Sequence, residues 1–357
     1  MKRIEDIDPN IKLTDNTPAD YIILDPRETP FSIWGLCPNE EGSYCRLPLA
    51  LLPQCNEGVQ ELAWHLAGAC VRFSTDSDGL AVLWELRGKG NMPHFAATGQ
   101  SGMELFEETE LGTRQIKTVI PQMDNGCGCK KNQSYFVPLP GGLRHYALYL
   151  PLYNGLNQFM LGFSPKARIE PGRTPRIEKP LVFYGSSITQ GGCASKVGSC
   201  YSTILARRLD AAQINLGFSG SGRGEEHMAR HIASLPMSAF ILDYDHNAPS
   251  AEHLLATHER FYQIVREAQP TLPIILMSMP DFDRDPAGNA ARRDIIVRTY
   301  ARALEKGDRR VYYVDGQSLF GHTDRDMCTV DGCHPNDLGF LRMADRVEPI
   351  LRQALCL

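Results

Sequence analysis

No apolar run in these 357 residues approaches the roughly 20 that a helix needs to cross a bilayer. The opening Met1-Lys2-Arg3-Ile4-Glu5-Asp6 turns acidic at once and lacks the apolar core of a secretory leader, so the default expectation is cytoplasmic. An excess of one charge is missing too: 37 Lys and Arg stand against 42 Asp and Glu, for a formal net charge of −5. That balance gives no electrostatic reason to expect nucleic acid or an acidic membrane surface as a partner. Internal repeats are absent. Cysteine is plentiful at 11, but the number is odd and the spacing has no disulfide framework. Cys127-Gly128-Cys129 is the one conspicuous pair. Residues two apart are poorly placed for an unstrained disulfide, and no second pair completes a zinc site. The expectation is reduced, mostly buried thiols and no metal.

What is present is ordinary globular material, 43% hydrophobic and 22% charged, in a chain longer than one core usually supports. Residues 164–180 hold four prolines, one glycine and five Lys or Arg, a composition suited to an extended connector. Before it the pattern is β-like: Gly79–Leu86, Leu143–Leu150 and Gln158–Phe163 are short, separated by turn residues and rarely helical in spacing. An antiparallel sandwich over residues 1–176 is the expectation. From 177 to 357 strand-like runs alternate with helical ones. Strands are expected at Pro180–Tyr184, Ala212–Ile214, Ala239–Asp243, Leu272–Met277 and Arg310–Val314. The segment His253–Val265 places Leu254, Leu255, Phe261, Tyr262 and Val265 on one helical face, and a helical pattern from Leu338 to Leu355 closes the chain. Such alternation implies an α/β domain, a parallel sheet in a three-layer fold.

Two strings carry chemistry. Gly185-Ser186-Ser187-Ile188-Thr189 follows the strand-like Pro180–Tyr184, which sets Ser187 at the carboxyl edge of a parallel sheet. Asp331-Gly332-Cys333-His334-Pro335 puts a carboxylate three residues before an imidazole. In a tight turn Asp331 can accept from His334 Nδ1, leaving the other nitrogen to take a proton from a serine hydroxyl. Alone, the first string also reads as a plain turn, and the second as a capped helix start or a metal-ligand pair. Together and in this order they suggest a serine esterase. Between them, Asn215–Gly222 supplies a glycine loop able to expose backbone N–H groups to an oxyanion, and Asn247 follows the strand Ala239–Asp243. Cys193, Cys200 and Cys333 flank these strings, but the serine explains the chemistry without them.

Taken in order, the blocks resemble the SGNH (GDSL-type) hydrolase superfamily, over about residues 178–355. The resemblance implies a flavodoxin-like three-layer domain with Ser187 as nucleophile and Asp331 and His334 completing a triad. It further implies an oxyanion hole made by the N–H groups of Ser187 and Gly220 with the Asn247 side chain. In place of the family's Gly-x-Asn-Asp the chain has Asp243-Tyr244-Asp245-His246-Asn247. The Gly-x-Ser-x-Gly elbow of another serine-esterase class is absent. Gly102-Met103-Glu104-Leu105-Phe106 resembles the Gly-x-Asp-Leu-Tyr motif of a β-domain that precedes some SGNH domains, and Tyr149–Gly155 fits that architecture. The implied substrate is a small-molecule ester, an acylated carbohydrate or glycoside, with no cofactor. An acyltransferase using the same acyl-enzyme and a non-catalytic carbohydrate-binding protein are the alternatives. The sandwich could touch substrate, mediate assembly into a homo-oligomer, or only pack. Trp34, Trp64 and Trp84 are read as core in preference to platforms for sugar rings.

Overall fold

The structure is a computed structural model that describes residues 17–37, 43–124, 128–280 and 282–357. Cys127 lies outside the described residues. Strands β1 (Ile22–Leu24), β2 (Ser32–Trp34), β3 (Cys70–Thr75), β4 (Gly79–Leu86), β5 (Met103–Thr109) and β6 (Gly112–Val119) come first. A small ribbon, β7 (Met123–Asp124) with β8 (Gly128–Cys129), leads to β9 (Asn132–Pro138), β10 (Arg144–Tyr149), β11 (Leu156–Phe163) and β12 (Ile169–Pro171). Two short helices, α1 (Glu57–Leu62) and α2 (Ala97–Gln100), sit in the connections.

These strands make a sandwich of two antiparallel sheets, ordered β1-β11-β4-β9 and β12-β3-β10-β5-β6, with β2 also on β3. Alternate side chains meet between the sheets, as the two-residue period of a strand requires. Val71, Phe73, Leu105, Tyr146 and Leu148 from one sheet pack on Leu80, Val82, Trp84, Phe159 and Leu161 from the other. The other face of β3, β5 and β10 is covered as well. Cys70, Phe106, Ala147 and Tyr149 join a second core that extends into the C-terminal half. Burial on both faces explains why every residue of β3 is buried, the polar Arg72 and Ser74 included.

The C-terminal half is a five-stranded parallel sheet with helices on both faces. Its strands are β13 (Ile177–Gly185), β14 (Ala211–Gly217), β15 (Ala239–Asp243), β16 (Ile274–Met277) and β17 (Val311–Val314), ordered β14-β13-β15-β16-β17. The helices are α3 (Ser187–Gln190), α4 (Tyr201–Leu209), α5 (Glu226–Ser234), α6 (Ala251–Ala268), α7 (Pro286–Glu305) and α8 (Asp337–Leu355). Side chains of α4 and α8 fill one face, those of α5, α6 and α7 the other. The strand order reverses at β13, so a crevice opens at its carboxyl end, where such sheets bind ligands. Among the described residues no helix is long and apolar enough to cross a membrane.

Three expectations differ in detail. The connector is partly built into sheets, since β12 pairs with β3 and β13 already begins at Ile177. Asn215-Leu216-Gly217, read as loop, continues β14, every residue of which is buried. On α6, Leu255 is 48% exposed, and His258 takes the buried place. Leu255 lies about 100° around the helix from Leu254, whereas Leu254, His258, Phe261 and Val265 recur at the three- and four-residue steps of one stripe.

The Gly102–Phe106 segment sits at the seam between the halves. Glu104 on β5 is fully buried; it accepts from the Gly198 N–H at 2.6 Å and from Gln115 Nε2 at 2.6 Å, and pairs with Lys196 Nζ at 3.1 Å. Phe106 lies 4.3 Å from the Arg207 guanidinium, a cation–π contact across the same seam. Glu104→Ala should therefore destabilise the fold by about 3 kcal/mol, the low end for breaking a buried ion pair, because Lys196 is partly exposed. Chemical denaturation measures this. An unchanged midpoint would show the seam does not depend on the pair.

Candidate active site

The position of Ser187 follows from the local chain. Gly185 ends β13 where a Cβ would lie 2.0 Å from Thr189 Oγ1 and 2.2 Å from the Asp243 carbonyl, so only glycine fits. Ser186 then caps α3, its hydroxyl accepting the Ile188 N–H at 3.1 Å. Ser187 is the first residue of α3, where helical N–H groups have no intrahelical partner. Its side chain reaches the crevice.

The partner turn is equally local. Gly332 takes a positive φ of 81°, and Asp331 Oδ1 accepts the N–H groups of Cys333 at 3.0 Å and His334 at 2.8 Å. Asn336 caps α8 immediately afterwards through the Gly339 N–H. Within this turn His334 Nδ1 lies 2.8 Å from Asp331 Oδ2, and His334 Nε2 lies 2.9 Å from Ser187 Oγ. The three side chains thus form one hydrogen-bonded line, with Nδ1–H donating to the carboxylate and Nε2 free to accept from the hydroxyl. Partial burial pushes the Asp331 carboxyl up, but the hydrogen bonds from His334 and the Cys333 N–H outweigh it and hold the group at about 2.

Gly220 has a φ of 64°, and nothing lies within 4 Å of where its Cβ would be, so the loop presents its backbone to open space. The loop is held around it. Phe218 N–H donates to the Gly185 carbonyl at 3.0 Å, and Ser219 N–H to Gln190 Oε1 at 3.0 Å. Asn247 Nδ2 donates to the carbonyls of Phe218 at 2.8 Å and Gly222 at 3.1 Å, which clasps the loop from the β15 side. His246 Nε2 lies 3.0 Å from Cys333 Sγ. Asp243 faces inward instead, accepting from Thr189 Oγ1 at 2.8 Å and Tyr201 Oη at 3.0 Å.

Burial, reinforced by the neighbouring Asp245 charge, pushes Asp243 up to about 8 against the Thr189 and Tyr201 hydrogen bonds. The folded protein then holds a proton that the unfolded chain releases above its ordinary 3.8. This contribution to stability is complete below that value and is lost as pH rises towards 8. Between about pH 5 and 8 the melting temperature of the wild type should fall relative to that of Asp243→Asn. Parallel melting curves for the two would show that the carboxyl is already ionised in the fold.

Several groups around the site come from the sandwich side, and no spacing rule connects them to the motifs. Tyr153 Oη donates to the Ser187 carbonyl at 2.9 Å, and Gln190 Nε2 meets the Leu152 carbonyl and His65 Nδ1, each at 3.2 Å. Arg46 is fully buried; its guanidinium donates to the carbonyls of Asn215, Gly217 and Leu62 at 2.7–2.8 Å and stacks 4.7 Å from Phe218. Tyr153 lies in the Tyr149–Gly155 segment that the family resemblance picked out; Arg46 carried no signal. Trp84 is core, and the half-buried Trp34 and Trp64 lie under Arg72 and Arg87. The ten described cysteines are free, nine of them buried. A surface cavity of about 390 Å³, lined in part by Phe320, Arg325 and Asp331, opens beside the Asp331–His334 turn. A larger one of about 520 Å³ lies on α6 and α7, among Tyr262, Arg266 and Asp308, and has no residue of the line.

A doubly wound parallel sheet with a serine, imidazole and carboxylate in line at its switch point defines a serine acyl hydrolase. The comparisons give the family. Residues 178–352 match the GDSL-like lipase/acylhydrolase family, and residues 21–169 match the N-terminus of SGNH-hydrolase-type esterases. The chain belongs to this GDSL-like, SGNH-type family of esterases, with its Gly-x-Asp-Leu-Tyr N-terminal domain. A Bacteroides ovatus protein described as a GDSL-like lipase is 26% identical over 94% of this chain and 98% of its own, with a TM-score of 0.85. The salicylyl-acyltransferase SsfX3 from a tetracycline biosynthetic pathway is 22% identical over the same shares, with a TM-score of 0.77. An acetyl xylan esterase from the rumen bacterium Butyrivibrio proteoclasticus is 15% identical over 97% of this chain and 98% of its own, with a TM-score of 0.54. No curated protein sequence matches.

Proposed function

We propose that the chain, as a sandwich domain (1–176) and a hydrolase domain (177–357), is a serine esterase that removes an acetyl group from a small carbohydrate or glycoside. The Ser187–His334–Asp331 line carries this reading. His334 Nε2 takes the Ser187 proton as Oγ attacks the ester carbonyl, and Asp331 fixes the tautomer and stabilises the imidazolium. The N–H groups of Ser187 and Gly220 receive the oxyanion. Asn247 joins them by giving up its longer bond, to the Gly222 carbonyl, as charge develops. Collapse breaks the bond to the sugar oxygen, which leaves with the proton from His334. Water, activated by His334, then cleaves the acyl-enzyme to acetate and free Ser187. No step calls on a metal or organic cofactor. The fold shared with an acetyl xylan esterase supports the choice of acetyl and sugar.

A fluorophosphonate probe should label Ser187, and acetylated sugars should be turned over faster than longer-chain aryl esters. Failure to label would leave only the non-catalytic, carbohydrate-binding reading. The fold shared with an acyltransferase across both domains favours a second reading, transfer to an alcohol. Product analysis with competing alcohols separates the two: new ester in place of acetate would establish transfer.

A further inference from the structure

Two side chains beside His334 have no part in that chemistry. His94, in the loop before α2, is exposed, and its ring centroid lies 5.9 Å from that of His334. Cys193, just after α3, is a buried free thiol. Among the described residues neither the His94 imidazole nor the Cys193 thiol has a hydrogen-bond partner. One ligand atom from each of His94, Cys193 and His334 lies within 4.8 Å of the other two. A tetrahedral zinc ion, with bonds of about 2.0–2.3 Å, holds its ligands about 3.5 Å apart. Side-chain adjustments of about 1 Å close that gap, and exposed His94 is free to make them.

We propose that His94, Cys193 and His334 form an inhibitory site for a thiophilic divalent cation, zinc above all, that switches the esterase off by seizing its base. The inference rests on His334 being that base. A thiolate and two imidazoles are the donor set that such ions prefer over magnesium or calcium. On binding, the Cys193 thiol gives its proton to solvent, a sulfur–metal bond forms, and each imidazole donates one lone pair. Water fills the fourth position. Whichever ring nitrogen of His334 the ion takes, catalysis stops. At Nε2 it occupies the lone pair meant for the Ser187 proton; at Nδ1 it displaces the bond to Asp331. His94 comes from the sandwich domain, so the lock also bridges the two halves.

The test titrates zinc against ester hydrolysis by the full chain and compares wild type with Cys193→Ala and His94→Ala. Zinc should inhibit the wild type, and EDTA should restore the rate. Each variant should keep its zinc-free rate yet need about tenfold or more zinc for the same inhibition, since even outer-shell changes cost that much affinity. Equal zinc inhibition of all three proteins would overturn the proposal, as would a wild type that zinc leaves untouched and that shows no thiolate-to-cobalt absorption. Asp331, Cys333 and His334 also cluster within the same limit, so loss of inhibition in Cys333→Ala alone would move the site there and overturn it too. Cobalt gives a readout independent of activity. A thiolate-to-cobalt charge-transfer absorption should appear in the wild type and vanish in Cys193→Ala; its persistence would dismiss Cys193 as a ligand. If that absorption behaves as expected while zinc leaves hydrolysis untouched, the assignment of the base fails and the metal site stands.

Discussion

Ser187→Ala and His334→Ala should each lower kcat on an aryl acetate by about 10³-fold or more, and combining them should lower it little further. The losses do not add because neither side chain does the chemistry without the other. A proton acceptor 2.9 Å from the hydroxyl has nothing to activate once the hydroxyl is gone. The fold should survive both changes. Ser187 contributes to α3 through its carbonyl, which accepts from Tyr153 Oη and from the N–H groups of Gly191 and Gly192, and alanine keeps all three bonds. The Asp331–His334 turn is fixed by backbone N–H groups on Oδ1, which do not need the imidazole. Near-normal turnover by Ser187→Ala would show that another group is the nucleophile.

Asn247→Ala should lower kcat by about 10²- to 10³-fold, the usual loss for one oxyanion donor, with little change in KM. The structure adds a second effect to the same substitution. Asn247 clasps the Phe218 and Gly222 carbonyls, so its loss should also cost about 1 kcal/mol of stability for each neutral hydrogen bond removed. The two effects separate in measurement. A stability loss with kcat intact would reduce Asn247 to a loop clasp. If His246→Ala then showed the large loss in kcat, the donor role would pass to His246. Asp243 is no rival, because its carboxyl is buried against Thr189 and Tyr201.

What was legible in the sequence was local. The juxtaposition of Asp331 and His334 depends on one turn four residues long, and the place of Ser187 on the end of one apolar strand. Both are encoded within a few residues. The parallel sheet was legible for a similar reason, since apolar runs with flanking turn residues mark its strands one at a time. Arg46, Tyr153, His65 and His94 were not legible in this way. They reach the site from loops more than a hundred residues from His334, through the packing of one domain on another, and no periodicity spans that distance. Leu255 was misplaced because hydrophobicity alone cannot tell which edge of a helical stripe a neighbouring layer covers. The connector misled through composition: proline and basic residues suit an extended chain, yet extended chain beside a free strand edge pairs with it, as Ile169–Pro171 does with β3.

Arg46 has a consequence for how such a protein can change over evolutionary time. It is a cation that pairs with no carboxylate among the described residues, wedged from the sandwich half into the carbonyls of the β14 strand that carries the glycine loop. Gene recombination that gave this hydrolase half a foreign sandwich would empty that wedge and strand two carbonyls in the interior. The reverse exchange would leave a buried positive charge facing a surface it does not fit. Either exchange should therefore cost stability, whereas a change in the loops around the crevice leaves the Arg46 wedge in place.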